Sequence, residues 1–226
     1  NNRNRFFLSL YSGRDDFSFG DEFGFDWGNR TATFRWNHLF NDRLFSNTSL
    51  IASNFDYGLK STSEADGFTW DSDLQEYSIK NDLNYFISPD FELDFGYHLT
   101  YRRFAPGKII PGEGSIFTET ELQNEYALDH ALYLGTQHKL SEKITLNYGA
   151  RLSVFQSVGR GEVYLYEDGQ DNLNPTRTDT LSFGRFEPIK TYVNLEPRLS
   201  MRYLLTPGSS LKLSYNRMVQ NTHLIS

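Results

Sequence analysis

The chain has 226 residues, with 22 Lys and Arg against 29 Asp and Glu, so its formal net charge is −7. That balance argues against a nucleic-acid partner, because phosphate backbones are gripped by clustered Lys and Arg. The absence of Cys excludes disulfides, thiolate metal sites and Cys nucleophiles. Hydrophobic residues are only 38% of the chain, and no stretch approaches the roughly 18 apolar residues of a transmembrane helix. Membrane-spanning strands remain open, because they dilute apolar residues one to one with polar ones. Aromatics reach 16%, which suits the interfacial girdles of such strands. The start, Asn1-Asn2-Arg3-Asn4-Arg5, carries no apolar run. The expectation is that a signal peptide was removed, or that the chain begins within a longer protein.

Nine strands are predicted in chain order, over about 5–12, 30–40, 44–57, 74–87, 91–104, 123–140, 144–157, 191–205 and 210–219. The second sets Ala32, Phe34, Trp36, His38 and Phe40 against Thr31, Thr33, Arg35 and Asn37. The fifth is the most regular, with Phe91, Leu93, Phe95, Tyr97, Leu99 and Tyr101 alternating with Glu92, Asp94, Gly96, His98, Thr100 and Arg102. Side chains alternate faces along a strand, so this segment has one apolar and one hydrophilic face. Its twelve residues, tilted by about 40°, span roughly 25–30 Å, the height of a bilayer's apolar core. The seventh and eighth strands alternate in the same way, whereas the third and sixth admit Asn and Thr on the apolar side.

Four connections are tight and rich in turn formers: Asn41-Asp42-Arg43, Ser88-Pro89-Asp90, Ser141-Glu142-Lys143 and Thr206-Pro207-Gly208-Ser209. Between them the sequence predicts long polar connections over 13–29, 58–73, 105–122 and 158–190. Strict alternation puts every short turn at one end of the sheet and every long loop at the other, the asymmetry of outer-membrane barrels. Phe40, Phe45, Tyr85, Phe86, Phe91 and Tyr203 flank the tight turns, where a periplasmic girdle belongs. The predicted fold class is all-β, an antiparallel transmembrane β-barrel. Bacterial single-chain barrels have an even strand number with both ends on one side, so nine strands imply part of a larger barrel. Residues 1–226 then form a single, incomplete barrel segment without a plug domain.

The runs Leu195-Glu196-Pro197-Arg198-Leu199-Ser200-Met201-Arg202-Tyr203, Ser210-Leu211-Lys212-Leu213-Ser214-Tyr215-Asn216-Arg217 and Gln220-Asn221-Thr222-His223-Leu224-Ile225-Ser226 resemble the barrel of TonB-dependent receptors from Bacteroidetes-type bacteria. Trp27-Gly28-Asn29-Arg30-Thr31-Ala32-Thr33-Phe34-Arg35-Trp36-Asn37-His38 and the following Leu44-Phe45-Ser46-Asn47-Thr48 fit the same family. The resemblance implies a barrel of about 22 strands, occluded by an N-terminal plug. It also implies a bacterial outer-membrane location and import of a scarce nutrient of siderophore, glycan or peptide class. The implied partners are outer-membrane lipid, the protein's own plug domain and remaining strands, and a periplasmic TonB-type energy transducer. A surface lipoprotein joins them if the parent is of the glycan-importing subtype. Two other readings stay open on the residues alone. One is a non-transporting outer-membrane barrel (an enzyme, an adhesin or a porin-like wall); the other is a soluble carbohydrate-binding sheet domain.

The inward faces carry Arg35, Lys80, Asp82, Glu92, Asp94, His98, Arg102, Asp129, Arg151, Glu196, Arg198, Arg202 and Lys212, a wall suited to docking a plug through hydrogen bonds and ion pairs. The first long connection interleaves Asp15, Asp16, Asp21, Glu22 and Asp26 with Phe17, Phe19, Phe23, Phe25 and Trp27. The last holds Glu162, Glu167, Asp168, Asp171 and Asp179 with Tyr164 and Tyr166. Asp16, Phe19, Trp27, Tyr164 and Tyr166 are the candidate external contacts to substrate. Asp168-Gly169-Gln170-Asp171-Asn172 lacks calcium-loop spacing. The five His (38, 98, 130, 138 and 223) lack metal-ligand spacing, so no metal, cofactor or catalytic group is predicted.

Overall fold

The computed structural model describes residues 3–20, 22–63, 66–166 and 176–221. Twelve strands follow in chain order: β1 (Asn4–Phe19), β2 (Phe23–Asn41), β3 (Leu44–Ser61), β4 (Phe68–Ser88), β5 (Phe91–Pro111), β6 (Thr120–Glu121), β7 (Glu125–Lys139), β8 (Ile144–Val158), β9 (Gly161–Tyr166), β10 (Arg177–Phe183), β11 (Pro188–Thr206) and β12 (Ser209–Asn216). Nine of them form one antiparallel sheet in the order β1-β2-β3-β4-β5-β7-β8-β11-β12, with β6 beside β5. β9 and β10 form a separate two-stranded hairpin. The large sheet is open, with β1 and β12 as its edges.

The tight turns are closed by side chains. The Asn41 Oδ1 accepts from the Arg43 and Leu44 amides at 2.9 and 3.0 Å. The Ser141 Oγ accepts from the Lys143 and Ile144 amides at 3.3 and 3.2 Å. Such short polar side chains stand in for a backbone partner where the chain reverses.

The predicted long connections at the other end are the main correction. Residues 13–19 and 23–29 are not a loop: β1 and β2 run on in register up to the pair Phe19 and Phe23. Likewise β3 and β4 stay paired up to Ser61 and Phe68. β5 extends to Pro111, and the last connection contains β9 and β10. Glu167, Asp168 and Asp171, like Asp21, lie outside the described residues.

Antiparallel partners share a face, so the register sorts every side chain. Leu8, Phe34, Leu50, Ile79 and Leu99 form one cross-strand row of one face. Tyr97, Leu132, Leu152 and Leu195 form another. No layer covers this apolar face among the described residues: Leu8 is 69% exposed, Leu132 58% and Leu195 55%. The sheet has no second layer to bury it against, which a water-soluble sheet requires.

The apolar face ends at a definable row. Ser12, Arg30, Asn54, Gln75, Arg103 and Tyr126 are successive partners across six strands. The next row is Arg14, Gly28, Asp56, Asp73 and Ala105, and the apolar side chains are gone. From Phe91 to Arg103 the strand rises about 30 Å if tilted as membrane strands are. At the other end, Phe40, Tyr85, Phe91 and Tyr203 lie on the apolar face, and His38 meets Phe40 edge-on with ring centroids 4.5 Å apart. Phe45 and Phe86 belong to the opposite face and stack on each other at 5.8 Å, so the predicted girdle is split between two faces.

A cationic side chain in the middle of the apolar face should be far more damaging than one opposite it. Leu132→Arg is expected to cost about 2–4 kcal/mol, whereas Asn147→Arg on the polar face should cost under about 1 kcal/mol. Urea unfolding in lipid vesicles, followed by tryptophan fluorescence, measures both.

Candidate functional site: a charged wall below an aromatic mouth

The polar face is built from rows that cross the sheet. Asn47, Asp82, Gly96, Tyr133, Arg151 and Glu196 are partners in one row. Ser49, Lys80, His98, Ala131, Ser153 and Asn194 form the next. The register puts Arg35, Lys80, Asp82, Glu92, Asp94, His98, Arg102, Asp129, Arg151, Glu196, Arg198, Arg202 and Lys212 all on this face.

Most of its contacts run across strands. The Arg102 Nε donates to Glu76 at 2.7 Å, and its Nη1 lies 3.4 Å from Asp129. Lys80 and Asp82 pair at 2.9 Å along one strand. The Ser153 Oγ donates to the buried Glu196 at 2.7 Å, and Arg198 stands 3.9 Å from the same carboxylate. Asn84 donates to Asp94, and the Tyr133 hydroxyl donates to Asp82. Tyr133 reaches that far because Gly96 opposite it has no side chain; a Cβ there would collide with the phenol oxygen. Thr100, with 2% exposure, pairs with Ser78 at 2.9 Å and with His98 at 3.2 Å. A cleft of 480 Å³ opens along this wall beside Lys80, Asp82, Asp94, Tyr133, Arg151 and Arg198.

Other members of the wall are left without an ion pair among the described residues: Arg35, Glu92, Arg151, Arg202 and Lys212. Arg202 and Lys212 are direct cross-strand partners, and like charges so placed repel. Glu76 and Tyr133 were missed in the sequence. Glu76 holds a polar-face position of the fourth predicted strand, so the alternation alone could have found it; Tyr133 hid because Tyr suits either face.

Above the boundary row the same face turns aromatic. Phe25 and Trp27 stack at 5.4 Å, Phe17 lies 5.3 Å from Phe25, and Phe19 lies 6.4 Å from Phe23. Phe55 and Tyr57 follow on the neighbouring strand at 6.3 Å. Phe19 and Trp27 therefore share a face, while Asp16, partner of Asp26, points to the other. On that other face Arg14 bridges Asp26 and Asp56, at 3.1 Å through Nε and 2.9 Å through Nη2. Tyr164 and Tyr166 sit on β9, in the separate two-stranded hairpin and not in the sheet that carries this cluster. The Tyr164 hydroxyl donates to Glu162 at 3.0 Å, which pushes the phenol above its ordinary pKa, and Arg177 stacks 4.9 Å over its ring. The hairpin is tied to the chain before β7 by Gln123, whose side-chain amide donates to the Glu162 carbonyl and accepts from its N–H.

Residues 1–220 match the family described as TonB dependent receptor-like, beta-barrel. No curated protein matches the chain. Among solved structures it is similar to BauA, the ferric preacinetobactin receptor from Acinetobacter baumannii, with a TM-score of 0.63 and 12% identity over 94% of this chain and 37% of that one. It is similar to the copper transporter OprC, with a TM-score of 0.62 and 12% identity over 96% and 36%. The open form of Fiu, the ferric-catecholate import receptor of E. coli K12, gives a TM-score of 0.57 and 14% identity over 87% and 36%. The chain thus spans about a third of the length of the structures it matches.

Arg102 is the hub of the wall, balancing two carboxylates. Arg102→Met is expected to cost about 1–3 kcal/mol by leaving them unpaired. Adding Glu76→Gln should recover part of that loss, a coupling of about 0.5–3 kcal/mol in a double-mutant cycle by chemical unfolding.

Proposed function

The chain belongs to the TonB-dependent receptor-like β-barrel family, whose barrels stand in the bacterial outer membrane, and on that premise we propose that it forms part of the wall of a nutrient importer. The cargo is a scarce nutrient of siderophore, glycan or peptide class. The named cargoes of the neighbours, ferric chelates and copper, make a metal chelate the first of these to test. The polar wall faces a plug domain, and a periplasmic TonB-type transducer supplies the energy.

The observation that carries this reading is the exchange of roles along each strand. One face is apolar and uncovered over a bilayer's height, and the face behind it is a charged wall that ends upward in an aromatic mouth. The wall also lacks balance where β8, β11 and β12 meet: Arg151, Arg198, Arg202 and Lys212 stand there against Glu196. Carboxylates of a docked plug would supply the missing counter-charges, since ion pairs on a shielded wall need partners. Phe25, Trp27 and Tyr57 offer ring faces for the first capture of cargo above the membrane.

Whole-cell uptake in a strain deleted for the gene and complemented with variants tests the proposal. Uptake of a ferric chelate should require the intact gene and collapse with a protonophore. Trp27→Ala should weaken cargo binding by about 0.5–1.5 kcal/mol, roughly two- to twelvefold in Kd. Uptake unchanged by gene deletion across ferric chelates, oligosaccharides and peptides would refute an importer.

A further inference from the structure

The turn before β11 is out of place for a solvated external loop. The Gly159 N–H donates to the Glu187 carbonyl at 2.8 Å, and the Phe186 N–H donates to the Gly159 carbonyl at 2.9 Å. The Gly184 N–H donates to the Glu187 carboxylate at 2.7 Å. These bonds strap residues 184–187 to the end of β8. Gly159 permits the strap, because a Cβ there would strike the Gly184 carbonyl.

Phe186 sits in this strap at φ 60°, a left-handed conformation that a bulky residue rarely adopts. Its ring meets Tyr101 edge-on at 5.7 Å, and Tyr101 stacks on Tyr126 at 6.4 Å. Tyr101 belongs to the apolar face, in register with Tyr77 and Leu128. Tyr126 and Arg103 are partners in the row where that face ends. Val158, the next member of that row, is only 2% exposed, whereas Leu8, Leu132 and Leu195 on the same face are more than half exposed. Phe186 itself remains 46% exposed, with the Arg185 guanidinium 5.0 Å over its ring. The nearest carboxylate in the strap, that of Glu187, is turned inward to the Gly184 amide.

We propose that residues 184–187 are a membrane-interface anchor, with Phe186 seated in the outer leaflet beside Tyr101 and Tyr126 and Arg185 on headgroup phosphates. Three observations select lipid as the occupant. The ring continues the uncovered apolar face, it lies at the row where that face ends, and it carries a cation with no carboxylate partner among the described residues. Aromatic rings settle at this depth because one side is apolar and the other wet, and a cation beside them gains from anionic headgroups. The β9–β10 hairpin, joined to the strap at Phe183, is thereby hinged on the membrane surface. This inference rests on outer-membrane placement and is independent of the cargo.

Nitroxide labels on the full-length protein, in vesicles of phosphatidylcholine with phosphatidylglycerol, test the anchor. Each variant is first checked for folding by heat-modifiable migration. A label at Phe186→Cys should collide more with oxygen than with an aqueous nickel chelate, as a Tyr126→Cys label does. A Thr180→Cys label on the hairpin should show the reverse. Arg185→Cys, which keeps Phe186 in place, should report a shallower position than Phe186→Cys, and the Phe186→Cys label, which keeps Arg185, should become shallower when phosphatidylglycerol is omitted. The proposal is overturned if labels at 185 and 186 both behave like the one at 180. It is equally overturned if both are shielded from oxygen and nickel, since protein would then cover the strap.

Discussion

Everything in this sheet follows from the need to satisfy each backbone N–H and C=O without water. In a bilayer an unpaired group costs several kcal/mol, so the chain crosses only as strands bonded on both sides. The long ladders from β1 to β12 meet that need in the interior of the sheet. Once backbone pairing is fixed, side chains have two faces and no third direction. The absence of a conventional core is the direct consequence. The large apolar side chains stay on the surface, and the fully buried ones are few, Val158 and Thr100 among them.

The same constraint explains why the polar wall is so closely knit. With no packed interior, the polar face gains its order from cross-strand bonds such as Arg102 with Glu76, Ser78 with Thr100 and Ser153 with Glu196. Each joins directly paired or diagonal positions, the distances at which sheet side chains reach one another. Buried polar groups are costly when unpaired, so a half-buried wall of this kind must be largely self-satisfied before anything docks on it. Where it is not, at Arg202 opposite Lys212, the sheet lies close to its β12 edge.

The strands themselves were legible because period-two alternation survives in nearly every one. Phe91 to Arg102 declares its two faces without help from structure. The long connections were misread because the alternation changes phase rather than stopping. In β1 the apolar residues are Phe6, Leu8 and Leu10, then Phe17 and Phe19; in β2 they are Phe23, Phe25 and Trp27, then Ala32, Phe34 and Trp36. Even positions carry the apolar side chains on one side of the boundary row and odd positions on the other. A window that crosses the boundary sees a broken pattern and reports a loop. The aromatic cluster of Phe17, Phe25 and Trp27 was visible as composition, but its shared face depends on register, which no local pattern supplies. Tyr133 and Phe186 were illegible for a different reason. The first depends on a glycine on a neighbouring strand, the second on a turn strapped to another strand.

The phase change also fixes where the site stands. A slip of one residue would exchange the faces of a whole strand. A slip of two keeps the faces but moves the strand by about 7 Å along its neighbour. That would carry Arg30 or Arg103 into the apolar band, or lift a row of Leu and Phe into water. Either costs several kcal/mol, so the boundary row pins register as well as depth. Trp27 lies three residues beyond Arg30 on β2, and Phe55 one residue beyond Asn54 on β3. The aromatic mouth is therefore held at a set height above the lipid by the residues that meet the lipid. Its position is measured from the membrane, not from a protein core, because this sheet has none.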